Sequence, residues 1–417
     1  MLQLPRHRRP GRRARRRAEA AAESLSLGGV LDADAHAAAG HAGLSQGSSR
    51  RPGPRRYLRL PALGQALARG GQHPAAQLRG QAVNATRRRL VVATGLALTG
   101  CAAGTRETSW KARQFHNQPA QSHQHQFLSD LWAQVAKETG GRLQVTTYPQ
   151  NNNLPGSDPG ALELLQSGEL EFFTLMGGIL GRKVPVAEIQ GMPFAFTSHA
   201  QVHRANDGAL GEYLGRECAA KGIYRFQYGL LENGFRQIST VDKPVLIAED
   251  LRGMRMRVPD GQMFRDVFTA LEAQPVTINI RELYAALKSR QVDGQENPLV
   301  ITEVNRLYEV TKYVSTTNHM WSGFNLLANL KFWNSLPGDV QEIVQRNVKK
   351  YVALQRAYTD DLNRQLGDKL AARGMIFNTA DVSTFRAKLG GGFYQRWKSE
   401  FGPTAWSLLE REVGKLG

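Results

Sequence analysis

Apolar and polar residues follow two periods along this chain, and the period switches at short intervals from residue 110 onward. Residues 122–139 carry apolar side chains at helical spacing, and a pair of glycines follows where such a helix would end. Residues 143–148 then read as a strand. Strands and helices keep alternating through residue 228, which predicts βα units and parallel sheets.

A second set of alternating elements begins after residue 249. In a predicted strand at 254–258, methionine and valine side chains occupy one face, whereas Arg255 and Arg257 occupy the other. The elements that follow are predicted at 262–271 (helix), 276–280 (strand) and 281–290 (helix). Two such α/β sets predict two lobes with a cleft between them.

One long helix, or a pair of helices, is predicted over residues 337–374, where apolar residues recur along one side. A helix of that length exceeds what one lobe needs, so we expect it to brace both. The predicted fold class is therefore α/β with two lobes, a hinge and a long C-terminal helix spanning them. We assign residues 108–234 and 323–360 to lobe I, and residues 235–322 and 361–417 to lobe II.

The net charge of +18 is concentrated at the start of the chain. Residues 1–89 contain 18 Arg, no Lys and four acidic residues, a net charge of +14, which leaves +4 for all the rest. The body is thus close to neutral for its size, and the charge gives no ground for a nucleic-acid role of the body. If residues 1–89 are retained, a basic protein that binds nucleic acid or a membrane surface stays an alternative.

Residues 1–82 have few aromatics and no sustained period, so they cannot bury enough apolar surface to fold. They are predicted to be a disordered extension, or translation from a start assigned too far upstream. Residues 83–101 read as a signal peptide with an arginine run and an 11-residue apolar stretch. Its end, Leu98-Thr99-Gly100-Cys101, resembles a bacterial lipobox, so Cys101 is a candidate for lipidation.

The candidate chemistry lies at the ends of two predicted strands. Arg257 lies near the end of the strand at 254–258, and Asn297 follows Val-Asp-Gly-Gln-Glu at 292–296. Ligands of open α/β sheets bind beyond the carboxyl ends of strands, so these two side chains predict a pocket for a small anion. Glu296 and His319 are the acid–base candidates for an alternative, an enzyme acting on a small organic acid. No nucleophile motif, glycine-rich phosphate loop or metal-ligand spacing accompanies them, so no catalytic residue, cofactor or metal is predicted.

Several motifs together resemble one transporter family. They are Asn-Gly-Phe-Arg-Gln at 233–237, Gly-Met-Arg-Met-Arg-Val-Pro at 253–259, Glu-Leu-Tyr-Ala-Ala-Leu at 282–287, Val-Asp-Gly-Gln-Glu-Asn-Pro at 292–298 and Thr-Asn-His at 317–319. In this order, residues 110 to about 380 resemble a solute-binding protein of a tripartite ATP-independent periplasmic (TRAP) transporter, of the DctP type. The resemblance implies a non-enzymatic periplasmic protein that closes on an organic carboxylate and delivers it to small and large membrane permease subunits.

The resemblance also implies roles for particular residues. Arg257 corresponds to the arginine that pairs with the ligand carboxylate, Asn297 to a hydrogen-bonding partner of that group, and Arg236 to a support from the hinge side. Asn117 corresponds to a ligand contact from the other lobe, and Asp158 to a polar residue at the cleft edge.

Two positions depart from the family pattern. Ile280 stands where many members carry an aromatic residue over the ligand, and Met176 where sialic-acid binders carry an acid. Both changes make the pocket less polar, so we expect a small or apolar carboxylate rather than a sugar acid. Trp321 is a further candidate for the cleft lining.

Overall fold

The structure is a computed structural model, and it describes residues 108–416. The predicted extension, signal peptide and lipidation site at Cys101 lie outside these residues. The strands are β1 (Trp110–His116), β2 (Leu143–Tyr148), β3 (Phe172–Met176), β4 (Ile223–Phe235), β5 (Gln237–Thr240), β6 (Arg255–Val258), β7 (Gln274–Thr277), β8 (Gly294–Asn297), β9 (Tyr313–Thr316), β10 (Trp321–Asn329) and β11 (Ile376–Thr379).

The helices alternate with these strands over most of the described chain. They are α1 (His123–Glu138), α2 (Ser157–Ser167), α3 (Gly177–Leu180), α4 (His199–Asp207), α5 (Ala209–Ala219), α6 (Gln262–Ala270), α7 (Ile280–Lys288), α8 (Leu299–Val304), α9 (Leu330–Ser335), α10 (Gly338–Ala371) and α11 (Val382–Val413). Across residues 108–416, no helix combines the length and apolar character needed to cross a membrane.

Two separate sheets confirm the predicted mixed α/β architecture. The first sheet has the strand order β2-β1-β3-β10-β4, in which β1 pairs in parallel with β2 and β3, and β10 is antiparallel to β3 and β4. The second sheet has the order β11-β9-β5-β8-β6-β7, in which β6 is parallel to both of its neighbours. Each sheet with its helices forms one lobe, called lobe I and lobe II below.

Two of the chain crossings between the lobes lie side by side. Strand β4 of lobe I ends at Phe235, and β5 of lobe II begins two residues later, with Arg236 between them. The return passes from β9 to β10 through residues 317–320, so lobe I resumes at Trp321 rather than at residue 323. The backbone N–H of Arg236 donates to the carbonyl of Met320 at 2.8 Å, which joins the two crossings into one hinge.

The C-terminal helices contact both lobes. Helix α10 packs against α1 and β4 of lobe I and against α8 and β11 of lobe II. Helix α11 also contacts both, which differs from the assignment of residues 361–417 to lobe II alone. It is interrupted at Gly390 and Gly402, whose φ angles of 59° and 77° favour glycine.

One predicted strand lies elsewhere in the structure. The strand expected at 276–280 spans 274–277, and Ile280 instead begins helix α7. Asn279 caps this helix, because its side-chain oxygen accepts the backbone N–H of Arg281 at 3.1 Å. With this cap in place, the strand ends at residue 277, three residues before its predicted end at residue 280.

Candidate functional site

A cavity of about 370 Å³ lies between the two lobes. Its wall on the lobe I side includes Asn117, Gln118, Asp158, Met176, Asn233 and Phe324. Its wall on the lobe II side, hinge included, has Arg236, Arg257, Asn279, Ile280, Asn297 and Ile301. The cavity therefore brings together residues that are up to about 200 positions apart in the chain.

Arg257 extends from β6 into this cavity, and its side chain is almost fully buried, with 3% of the residue exposed. Its Nε donates to the carbonyl of Ile278 at 2.8 Å, which fixes the plane of the guanidinium. Within residues 108–416, Arg257 forms no ion pair, and its terminal nitrogens have no hydrogen-bond acceptor. Burial lowers the pKa of Arg257 to about 10, which still leaves it charged at neutral pH.

Arg236 lies beside the same cavity, but the protein already occupies its donors. Its Nε pairs with Glu296, and its Nη2 donates to Glu296 Oε1 at 2.8 Å. Its Nη1 donates to Ser322 Oγ at 2.9 Å. Burial by itself would raise the pKa of Glu296, but the charge of Arg236 and a contact with His319 more than offset it and the pKa is lowered. Arg236 is thus a neutralised group that organises the cavity floor.

Asn297 ends strand β8 next to this ion pair. Its side-chain oxygen accepts from Arg236 Nη2 at 3.1 Å, and its amide nitrogen donates to Gln295 at 2.5 Å. One amide hydrogen is left for a molecule in the cavity. Glu296 and His319, the acid–base candidates of the sequence, do not line the cavity, because Glu296 is turned toward Arg236.

Asp158 is the acidic group of the lobe I wall. It lies in the first turn of α2 with 3% of its surface exposed. Its two oxygens accept hydrogen bonds from the amides of Asn117 at 2.8 Å and Asn151 at 2.6 Å. Burial raises the pKa of Asp158, and these two amides together with Arg257 offset part of that effect.

Contacts between the lobes flank the cavity. Arg182 of lobe I pairs with Asp260 of lobe II at 2.7 Å. Arg281 of lobe II donates to the carbonyl of Leu154 at 3.2 Å. Because these contacts join the lobes on the cavity's rim, the arrangement corresponds to a closed cleft.

A buried carboxylate also joins the lobes. Glu188 accepts the backbone N–H of Met263, near the start of α6, at 2.7 Å. Burial raises the pKa of Glu188 to about 7, even though this backbone donor and Arg265 favour the ionised form. The carboxyl group of Glu188 therefore changes its charge near neutral pH, at a contact between the lobes.

The remaining predicted residues separate into two groups. Met176 and Ile280 both line the cavity, and Met176 contacts Arg236 through its sulfur. Trp321 does not line it: its indole N–H donates to Glu232 at 2.7 Å inside lobe I. A tryptophan at a strand start can face either side of a sheet, and the strand's register in the structure decides which.

Several polar residues of the wall were not among the predicted site residues. Gln118, Asn233 and Asn279 line the cavity beside the predicted residues. Asn279 was detectable in principle, since a helix cap precedes the Glu-Leu-Tyr motif. The wall is more polar than Ile280 and Met176 suggested, which weighs against the expectation of an apolar ligand.

Comparisons with known proteins agree on one family. Residues 115–395 match the model of a family described as bacterial extracellular solute-binding protein, family 7, or DctP. The chain is 28% identical over 237 residues to the C4-dicarboxylate-binding periplasmic protein DctP of Rhodobacter capsulatus. That match covers 56% of this chain and 68% of the relative.

Solved structures show the same fold. A TRAP periplasmic solute-binding protein from Sulfitobacter sp. NAS-14.1 with bound β-D-galacturonate has a TM-score of 0.68 and 25% identity, covering 73% of this chain and 99% of that chain. A second one, from Polaromonas sp. JS666 and bound to D-erythronate, has a TM-score of 0.68 and 25% identity, covering 74% of this chain and 99% of that chain.

Proposed function

Because this chain belongs to family 7 of the bacterial extracellular solute-binding proteins, the DctP family, we propose that it is the solute-binding subunit of a TRAP transporter. It binds a small organic carboxylate between its lobes and delivers the ligand to the membrane permease. The observation that carries the proposal is Arg257, a buried guanidinium in the cleft that forms no ion pair with any described carboxylate.

A carboxylate ligand matches this arginine in charge and shape. The two terminal nitrogens of Arg257 offer parallel donors in one plane, and a carboxylate accepts both. Asn297 adds its remaining amide hydrogen without adding charge. Arg236 holds the oxygen of Asn297 toward lobe II, so we assign Arg236 to positioning rather than to direct neutralisation of the ligand.

Closure of the cleft completes the site. Asn117 and Asp158 belong to lobe I, and Arg257 and Asn297 belong to lobe II, so the ligand contacts both lobes only when the cleft closes. Hinge closure of this kind is established for periplasmic binding proteins. Closure converts the presence of ligand into a shape that a permease recognises.

Family membership supports the proposals for location and partners. We place the mature protein in the periplasm, exported by the segment at 83–101 and anchored through Cys101. Its partners are the small and large subunits of a TRAP permease. Mass spectrometry of the native protein tests the anchor, which requires a mature N-terminus at Cys101 with attached acyl chains.

A thermal-shift screen of the purified protein against organic acids tests ligand binding. A ligand at 100 times its dissociation constant adds about 2.7 kcal/mol to the free energy of unfolding, which raises the melting temperature by several degrees. We expect at least one carboxylate to produce this shift, and Arg257→Ala to abolish it. Arg255→Ala is the matched control, because Arg255 lies two residues away and pairs with Asp293 outside the cavity.

Two results would refute the proposed function. One is a screen in which no carboxylate shifts the melting temperature of the wild-type protein. The other is a shift that persists unchanged in Arg257→Ala, since the acid would then bind elsewhere.

A further inference from the structure

Helix α6 of lobe II has no N-terminal cap of its own. Gly261 occupies the capping position, where it has no side chain to accept a hydrogen bond. Glu188 of lobe I supplies the missing acceptor, because its Oε2 accepts the backbone N–H of Met263 at 2.7 Å. One lobe therefore caps a helix of the other lobe.

The capped helix follows directly from the strand that carries the ligand-binding arginine. Strand β6 ends at Val258, one residue after Arg257, and α6 begins at Gln262. A movement of lobe II therefore carries Arg257 and the start of α6 together. Glu188 belongs to the short helical segment Pro185–Gly191 of lobe I, so opening the cleft separates it from α6.

Glycines allow the two lobes to approach closely beside this cap. A Cβ atom on Gly178 of lobe I would lie 2.4 Å from the ring of Phe264 on α6, a distance that real Cβ atoms essentially never show. A Cβ atom on Gly261 would lie 3.0 Å from the carbonyl oxygen of Gly178. The closed form thus depends on a contact that only glycine permits. We call Gly178, Glu188, Met263 and Phe264 the latch.

Glu188 is buried in the latch without an ion-pair partner. Only 6% of its surface is exposed, and it pairs with no Lys, Arg or His of residues 108–416. The small void beside it is lined, among the described residues, by apolar side chains, glycines, Gln190 and Ser322, with no second titratable group. Protonation at this contact is therefore governed mainly by the burial of Glu188.

Charged groups on the neighbouring elements have other partners. On α6, Arg265 favours the ionised form of Glu188 and Asp266 opposes it. The ion pairs of this region join Arg265 to Asp260, Arg182 to Asp260, Asp266 to Arg396 of α11, and His319 to Glu296.

Closure changes the surroundings of the Glu188 carboxyl group. In an open cleft, water replaces α6 beside it and solvates the ionised form. In the closed cleft, burial favours the neutral form and raises the pKa to about 7, although the backbone donors of Gln262 and Met263 favour the ionised form. A neutral carboxyl group keeps an oxygen that can accept the N–H of Met263, so protonation does not remove the cap.

We propose that Glu188 makes the latch proton-sensitive: ligand-driven closure buries its carboxyl group against α6, and the protein takes up a proton as it binds its ligand. The inference rests on the proposed function, since ligand binding drives the closure. A group that binds its proton more tightly in the closed form favours that form at low pH. Ligand affinity should therefore fall as pH rises from about 4.5 to about 7.

Titration calorimetry of the purified full-length chain tests the inference, with the acid that gives the largest shift in the thermal screen. Titrations at pH 6 and pH 8, each in two buffers of different ionisation enthalpy, give the affinity and the number of protons taken up. We expect the affinity of the wild type to fall about tenfold between these pH values, with clear proton uptake at pH 6 and almost none at pH 8.

Substitution of Glu188 isolates its contribution. Glu188→Gln keeps the volume and an acceptor oxygen but does not titrate, so it should remove this tenfold fall and the proton uptake that goes with it. The comparison between variants is needed because burial also raises the pKa of Asp158 in the cavity wall. Glu163→Gln is the matched control, since Glu163 is an exposed carboxylate of lobe I that pairs with Lys183, and it should behave like the wild type.

A second variant tests the close contact of the latch. Gly178→Ala places a methyl group against Phe264 only when the cleft closes, so it should weaken ligand binding by about tenfold and reduce proton uptake. The melting temperature of the ligand-free protein should not change. Gly215→Ala on α5 is the matched control, because no atom lies within 4 Å of its added Cβ.

The outcomes separate this inference from the proposed function. If binding depends on Arg257 but the wild type and Glu188→Gln show the same pH dependence, the proposed function stands and the latch is wrong. Full affinity in Gly178→Ala would also overturn it, since Phe264 would then not close onto Gly178. If Glu188→Gln fails to fold, the affinity and proton uptake of Gly178→Ala decide. If no acid binds, the proposed function itself fails and the latch with it.

Discussion

Arg236 and Arg257 border the same cavity, and both are almost completely buried, with 1% and 3% exposed. The side chain of Arg236 donates hydrogen bonds to Glu296, Ser322 and Asn297. Arg257, in contrast, donates one hydrogen bond to a backbone carbonyl, and its terminal nitrogens donate to no described residue. A buried charge that forms no direct ion pair is costly to the fold, which fits a residue whose ion-pair partner is a ligand. Residue type and burial alone do not distinguish a structural arginine from one that is available to a ligand. The direct ion pair with Glu296, which only Arg236 forms, distinguishes them.

The largest effect expected from this comparison is on affinity. Arg257→Met should weaken carboxylate binding by about 3–6 kcal/mol, because two charge-assisted hydrogen bonds at about 1.5–3 kcal/mol each are lost. The free energy of unfolding should be unchanged or higher, since a buried charge that forms no ion pair is removed. Titration calorimetry and urea unfolding of the same preparation measure the two quantities. A loss of stability comparable to the loss of affinity would show that Arg257 is structural.

A loss of stability is expected, in contrast, when Arg236 loses its counter-charge. Glu296→Gln should lower the free energy of unfolding by about 3–5 kcal/mol, because Arg236 is left buried without a counter-charge. Asp293→Asn is the control: it breaks the partly exposed pair with Arg255 and should cost about 0–1 kcal/mol. Urea unfolding compares the two variants. Equal costs would mean that burial of the Arg236–Glu296 pair does not set its contribution.

Glu188 extends the comparison to a buried carboxylate without an ion pair. Its pKa is raised from 4.5 to about 7, so between these values the folded protein binds more protons than the unfolded chain. The stability of the wild type should therefore fall as pH rises from about 4.5 to 7, relative to Glu188→Gln, by roughly 3 kcal/mol in total. Urea unfolding at intervals between pH 4.5 and 8 measures the difference. Parallel profiles for the two proteins would contradict the raised pKa.

The smallest effect is expected at the rim of the cleft. Arg182→Ala removes the exposed pair with Asp260 that joins the lobes, and it should weaken ligand binding by about 0.2–1 kcal/mol. The effect should shrink at high salt, because exposed charges are screened. Lys183→Ala is the matched control, since Lys183 pairs with Glu163 within lobe I. Titration at low and high salt measures both variants, and equal effects would argue against a rim contact that favours closure.

The sequence predicted the alternation of strands and helices well, because each element carries its own period and its own stop signals. The helix at 122–139 and the strand at 143–148 are examples, and the structure gives His123–Glu138 and Leu143–Tyr148. The strand predicted at 276–280 lies at 274–277 instead, since the capping interaction of Asn279 overrides a short apolar run. Short apolar runs do not distinguish a strand end from a helix start.

The candidate site likewise contains some residues that the sequence predicted and others that only the structure revealed. Strand ends predicted Arg257 and Asn297, and the family resemblance implied Asn117; the structure brings all three to one cavity. Trp321 was also a candidate, but its ring points to Glu232 and not to the cavity. The sequence did not indicate Asn151, because only its left-handed backbone turns it toward Asp158.

By itself, the amino-acid sequence determined the α/β class, the near-neutral charge of the body and the arginine at the end of a strand, because these follow from local periodicity and composition. Tertiary structure alone decided which arginine is neutralised. Arg236 and Glu296 are 60 positions apart in the chain, and pairing of β5 with β8 brings them together. It also placed Asp158 across the cleft from Arg257, since electrostatic interactions depend on distance in space and not on separation along the chain.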